Sequence, residues 1–197
     1  MVEGKPSLGA PLRSGGDGVP EVFCVDEQSE VPIDLDRWRR LALKSLQSEN
    51  VRGAAELAVL FVDEATISEM NTQFMGKSGP TDVLAFPVDG IEVFSAQGPG
   101  AVTRGPSRAE HDLSDAPLIL GDVVICPAVA VRQAPEHAGD VDDEIALLLV
   151  HGILHVLGHD HDEPQRTAVM RAREIELLSA HHWNGPAPAG FAQEHSS

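Results

Sequence analysis

The chain has 197 residues, 42% of them hydrophobic, which is enough for one substantial core and cramped for two. Its 14 Lys and Arg stand against 31 Asp and Glu, a formal charge of −17 that excludes a protein coating nucleic acid non-specifically. Two cysteines, Cys24 and Cys126, give neither a disulfide framework nor a Cys-rich zinc module, and no stretch reaches the roughly 18 apolar residues of a membrane span, so a cytoplasmic protein with no membrane partner is expected.

Residues 1–19 are rich in Gly, Pro and Ser with almost no large apolar side chains, and read as a disordered extension. A short strand is predicted at 21–25. Asp34 then caps a helix whose apolar face carries Leu35, Trp38, Leu41, Ala42 and Leu46. The apolar run 55–62 has strand length, and Asp63 caps a helix presenting Ile67, Met70 and Phe74 before Gly76 breaks it. A strand follows from about 82 to 86, then a long surface loop over 88–117 without periodicity.

The β-branched run 118–126 is a buried strand closed by Pro127, followed by helical pattern over 129–136. Asp140 caps a helix over 141–157 that is apolar almost throughout, as a helix in the middle of a core should be. The last helix runs from Pro164 to about 180 and stops at Asn184, Gly185 and Pro186, leaving 183–197 as a flexible tail. The expected fold is α+β: a mixed sheet of about four strands packed by helices, forming a single hydrolase domain over 20–182, with a zincin-like metal site on a central helix.

The chemistry concentrates in that central helix. His151 and His155, four residues apart, lie on one helical face and can present two imidazole nitrogens to one ion. Gly158 permits the left-handed conformation that ends a helix, so the chain doubles back and His161 can serve as third ligand. Three neutral imidazoles leave one coordination position open, as in catalytic zinc sites, and one zinc ion per chain is expected. The layout matches the metzincin pattern H-E-x-x-H-x-x-G-x-x-H except that Gly152 replaces the general-base Glu. That departure disfavours peptide hydrolysis and is read as opening space beside the ion for a phosphodiester.

Around this set, Asp160 and Asp162 can orient an imidazole or simply cap and solvate the turn, and His159 is a replacement ligand disfavoured by spacing. Glu144, two turns before His151, can line the cleft or pair along the helix; Thr81 and Asp82 form a turn with a lesser substrate-facing reading. Asp122 needs a buried partner or an opening to the cleft. Basic clusters at Arg37, Arg39, Arg40 and Lys44, and at Arg166, Arg171 and Arg173, are where phosphate contacts are expected if RNA binds.

The segment HGILHVLGHDH resembles the YbeY signature H-G-x-L-H-L-x-G-x-D-H, and GPTDVLAFP and LGDVVIC resemble that family's two other motifs in the same order. The resemblance covers roughly residues 20–182. It implies a metal-dependent endoribonuclease of rRNA maturation and ribosome quality control, with RNA and ribosomal particles, and ribosomal or assembly proteins, as partners. It assigns zinc to His151, His155 and His161. It also implies an Arg two residues before Lys77 that acts on RNA; here that place is Met75, and Lys77 nearby is the available cation. The alternatives are a minimal metalloprotease and a non-catalytic ribosome-assembly factor in which zinc only holds the C-terminal helices together.

Overall fold

The computed structural model describes residues 18–88, 117–159 and 164–193. Four strands, β1 (Glu21–Asp26), β2 (Ala55–Phe61), β3 (Val83–Pro87) and β4 (Leu118–Ile125), form one sheet in the order β1-β2-β4-β3. β1, β2 and β4 are mutually parallel and β3 runs antiparallel to β4, so the sheet is mixed. The helices are α1 (Leu35–Ser48), α2 (Glu64–Met70), α3 (Pro127–Gln133), α4 (Val141–Val156) and α5 (Pro164–His181). The expected elements are all present among the described residues. The extension at 1–17 and most of the loop expected over 88–117 lie outside them.

Local chemistry accounts for the helix starts. Asp34, Asp63 and Asp140 each accept a backbone N–H of the first turn, from Arg37, Thr66 and Asp142. Pro127 closes β4 by opening α3, where its missing N–H costs no helical bond, so that helix starts two residues before its periodicity suggests. α2 does not end at Met70 but widens into a π turn over Asn71–Met75, terminated by Gly76 at φ 66°.

Alternation along the strands divides the core in two. Leu57, Val59 and Phe61 of β2 and Leu120, Val123 and Ile125 of β4 face α1, α4 and α5, whereas Leu84 and Val124 on the opposite face pack with Ile67 and Val129 of α2 and α3. α4 lies on β3 and β4 with α1, α3 and α5 around it, and every residue from Glu144 to Leu154 is buried. Asp122 points to the exposed side of β4, so it needs neither a buried partner nor a cleft. Within the tail expected from 183, Trp183 and Phe191 pack on the core, and Ala192 N donates to the His137 carbonyl at 2.9 Å.

Candidate active site

A cleft of about 590 Å³ opens between α4 and the segment running from the π turn into β3. His151, Gly152 and His155 form one wall; Asn71, Met75, Lys77, Thr81 and Asp82 are on the other. The second wall is built from backbone fastened by one side chain. Asn71, buried at the start of the π turn, donates Nδ2 to the Gly79 carbonyl at 2.9 Å, and its own carbonyl accepts Lys77 N at 3.3 Å. Thr72 Oγ1, with a single hydrogen to donate, lies 2.9 Å from the Ser68 carbonyl and 3.2 Å from that of Lys77, so Asn71 is what holds the loop bearing Lys77. Sequence reading missed Asn71; its only signal is a polar residue four places after the buried Ile67.

Asp82 stands immediately before β3 and is 3% exposed. Its Oδ1 accepts Val83 N at 2.8 Å and Thr81 Oγ1 at 3.1 Å, while Oδ2 is buried without a hydrogen-bond partner among the described residues. Glu144 does not line the cleft. It is fully buried, accepting Ala138 N at 3.2 Å and paired with His137 Nδ1 at 3.3 Å, and burial pushes its carboxyl pKa up.

On the α4 wall, the His151 and His155 Nε2 atoms face each other 3.1 Å apart. The His155 Nδ1 lies 3.0 Å from the His159 carbonyl, which can only accept, so that nitrogen carries the hydrogen. The His151 Nδ1 lies 2.8 Å from Glu174 Oε1, a carboxylate 1% exposed on α5, and donates likewise. With Nδ1 held this way on each ring, the two Nε2 atoms are turned toward one another, a spacing that a cation or a shared proton against both would suit. Two nitrogens sharing one tetrahedral zinc stand roughly 3.3 Å apart, so the pair fits a zinc ion in spacing as well as in tautomer. Glu174 also escaped the sequence reading, although a carboxylate in the stripe Met170, Glu174, Leu177, Leu178 on the buried face of α5 is a legible anomaly.

α4 ends in a Schellman turn: His159 N donates to the Leu154 carbonyl and Gly158 N to that of His155, both at 2.9 Å, with Gly158 at φ 87°. The turn reverses the chain as Gly158 suggests and aims the His159 carbonyl at His155. The His159 side chain points elsewhere, 3.4 Å from Glu49 Oε2. His161, Asp160 and Asp162 lie at 160–163, outside the described residues.

Gly152 has a different reason from the one its sequence position suggests. A Cβ there would stand 2.6 Å from Val123 Cγ1, so the residue is small to let α4 settle on β4. Three cations of the basic clusters pair with carboxylates: Arg37 with Asp142, Arg39 with Asp36 at 2.9 Å, and Arg173 with Glu49 and Glu176 at 2.5 and 2.6 Å. Lys77, by contrast, is a cation on the cleft wall.

Residues 23–182 match the family model described as Endoribonuclease YbeY. The Thermobifida fusca protein named Endoribonuclease YbeY is 44% identical over 155 residues, covering 79% of this chain and 90% of that relative. The protein of the same name from Nocardioides sp. is 41% identical over 153 residues, covering 78% and 93%. A solution structure from Thermotoga maritima aligns with a TM-score of 0.49 at 20% identity, over 89% of this chain and 99% of that one. With four-fifths of its length matched, the chain belongs to the endoribonuclease YbeY family.

Proposed function

We propose that the protein cleaves RNA phosphodiester bonds in this cleft during rRNA maturation and ribosome quality control in the cytoplasm, with one zinc ion per chain held by His151, His155 and His161. The observation that carries the reading is the facing pair of Nε2 atoms, 3.1 Å apart, each imidazole oriented from behind by an acceptor on Nδ1. His161 is the third ligand in this reading, three residues after the turn at Gly158, and Asp160 and Asp162 flank it in sequence as candidates to orient its ring.

A bound zinc ion supplies Lewis acidity at a phosphoryl oxygen and a nucleophilic water at neutral pH. The chain supplies the rest. Glu174 and the His159 carbonyl hold a hydrogen on Nδ1 of His151 and of His155, so that Nε2 is the nitrogen each ring would present to the ion. Lys77 offers a point charge to a phosphate from the opposite wall, on a loop fastened by Asn71. Thr81 and Asp82 line the same wall as Lys77. In a chain of formal charge −17, binding by a broad basic surface is disfavoured, so recognition of rRNA or of ribosomal particles falls to this cleft and to protein partners on the particle.

Purified protein should carry about one zinc per chain, cleave single-stranded RNA, and lose cleavage on chelation, with activity restored by added zinc. Undiminished cleavage by metal-stripped protein, or full zinc occupancy after His151→Ala and after His155→Ala, would overturn the reading. Cleavage of casein in place of RNA would favour the protease.

A further inference from the structure

Residues 183–193 lie beyond the family match, which ends at 182, yet they return to the metal-site side of the domain. Trp183 Nε1 donates to Asp143 Oδ1 at 2.8 Å, Phe191 meets the Trp183 ring edge-on with centroids 4.8 Å apart, and Ala192 N is bonded to the His137 carbonyl. These anchors bring Gln193 over α5. There its Nε2 donates to the Arg171 carbonyl at 2.7 Å and to Glu174 Oε2 at 2.9 Å. The other oxygen of the same carboxylate is the one on His151 Nδ1.

We propose that Gln193 is a positioning residue for the metal site, acting through Glu174 on His151; this rests on the zinc reading above. A carboxylate 1% exposed needs donors, and here each of its oxygens has one. One donor on each oxygen fixes the rotation of the carboxylate plane, and with it the direction in which the His151 ring is held. The choice of an amide is consistent with that task. Lys or Arg at 193 would pair with the negative charge and draw it off the imidazole, whereas a neutral amide orients the carboxylate and leaves its charge on His151 Nδ1–H, which raises the basicity of Nε2. Both amide hydrogens are used, one on a backbone carbonyl of α5, so the amide itself is fixed in register with the helix that carries Glu174. The extension thus adds a third layer behind the ligand, from residues outside the family-model match.

The test is the zinc dissociation constant of the full-length chain, measured by competition with a chromogenic chelator, beside the melting temperature of the metal-free protein. Gln193→Ala should weaken zinc binding by about 10-fold with the metal-free melting temperature unchanged, and Glu174→Gln by about 10- to 100-fold. In the Glu174→Gln background, Gln193→Ala should add nothing, because its effect passes through that carboxylate. Equal affinity of Gln193→Ala and wild type, a lowered melting temperature with unchanged affinity, or additive losses in the double variant each overturn the relay while leaving the zinc site standing. Absence of stoichiometric zinc in the wild type overturns the zinc reading and the relay together. Should Glu174→Gln fail to fold, the Gln193→Ala comparison decides alone.

Discussion

Gly152 crosses β4 so closely that a Cβ on it would lie 2.6 Å from Val123 Cγ1 and 3.2 Å from Cγ2. Val123 is fully buried and branched at Cβ, which restricts its χ1 and limits how far it can yield. The contact sets the distance between the helix bearing His151 and His155 and the sheet beneath it. Gly152→Ala gains roughly 1 kcal/mol of helix propensity but overpacks the contact by about 1–3 kcal/mol, and the net result is expected to be a loss. Thermal denaturation should show a melting temperature a few degrees lower. Gly152→Glu, which restores the metzincin general base in sequence, should fail to fold stably; a stable variant with new peptidase activity would show that packing is not what excludes that residue.

The two histidines that follow His151 should separate cleanly on substitution. His155 contributes Nε2 to the facing pair, whereas His159 contributes only its backbone carbonyl, which an alanine also carries. His155→Ala is expected to remove most of the stoichiometric zinc, and His159→Ala to retain it, losing only the side-chain pair to Glu49. Zinc content of the two purified variants settles this, and an empty site in His159→Ala would reverse the ligand assignment.

Glu144 predicts a pH dependence. Burial raises its pKa from the ordinary 4.5, against the lowering effect of the Ala138 N–H and His137 and with a further raising effect from Asp82. A raised carboxyl pKa means that the folded chain holds this proton more tightly than the unfolded chain. The stability it contributes is therefore complete below about pH 4.5 and lost as pH rises through the folded pKa. Glu144→Gln stays neutral and can still accept Ala138 N. Its melting temperature should gain on the wild type progressively from pH 4 to pH 7. A gap independent of pH would mean that Glu144 titrates alike in the folded and unfolded chain.

Features set by local chemistry were legible in the sequence, and features set by distant partners were not. Asp34, Asp63 and Asp140 cap as expected because the acceptor and its donor are two or three residues apart. The antiparallel placement of β3 beside β4 joins two strands across the 88–117 segment, a pairing that periodicity does not encode. Asn71–Met75 has the composition of one more α-helical turn, so its π geometry was invisible. Gly152 suggested room beside an ion because Val123 is remote in sequence, and Glu144 left a cleft or a pair along the helix open because helical spacing gives a face but not what covers it. His151 and His155 were legible as a pair; the acceptors behind them, Glu174 and the His159 carbonyl, belong to another helix and to a turn.

Met75 is where the sequence parts from the family motif it resembles, and the structure sets it on the cleft wall, 45% exposed, opposite His151 and His155. Its neighbour Phe74 takes the packing role instead, meeting Phe86 of β3 edge-on with ring centroids 5.1 Å apart. A guanidinium at position 75 would therefore remain in contact with water and carry no burial penalty, so Met75→Arg should leave the melting temperature within about 1 °C, as expected for a substitution outside the core. Beside Lys77 it would add a planar, bidentate donor for a phosphate that a lysine ammonium does not imitate. If a charge held there stabilises the phosphoryl group during cleavage, RNA turnover should rise by about 10- to 1000-fold. The gain should vanish on chelation, because an arginine supplies no nucleophile, and His155→Ala combined with Met75→Arg should be as inactive as His155→Ala alone. An unchanged rate in a fully stable, zinc-loaded Met75→Arg variant would place the scissile phosphate away from the π turn and leave Lys77 without a role in the reaction.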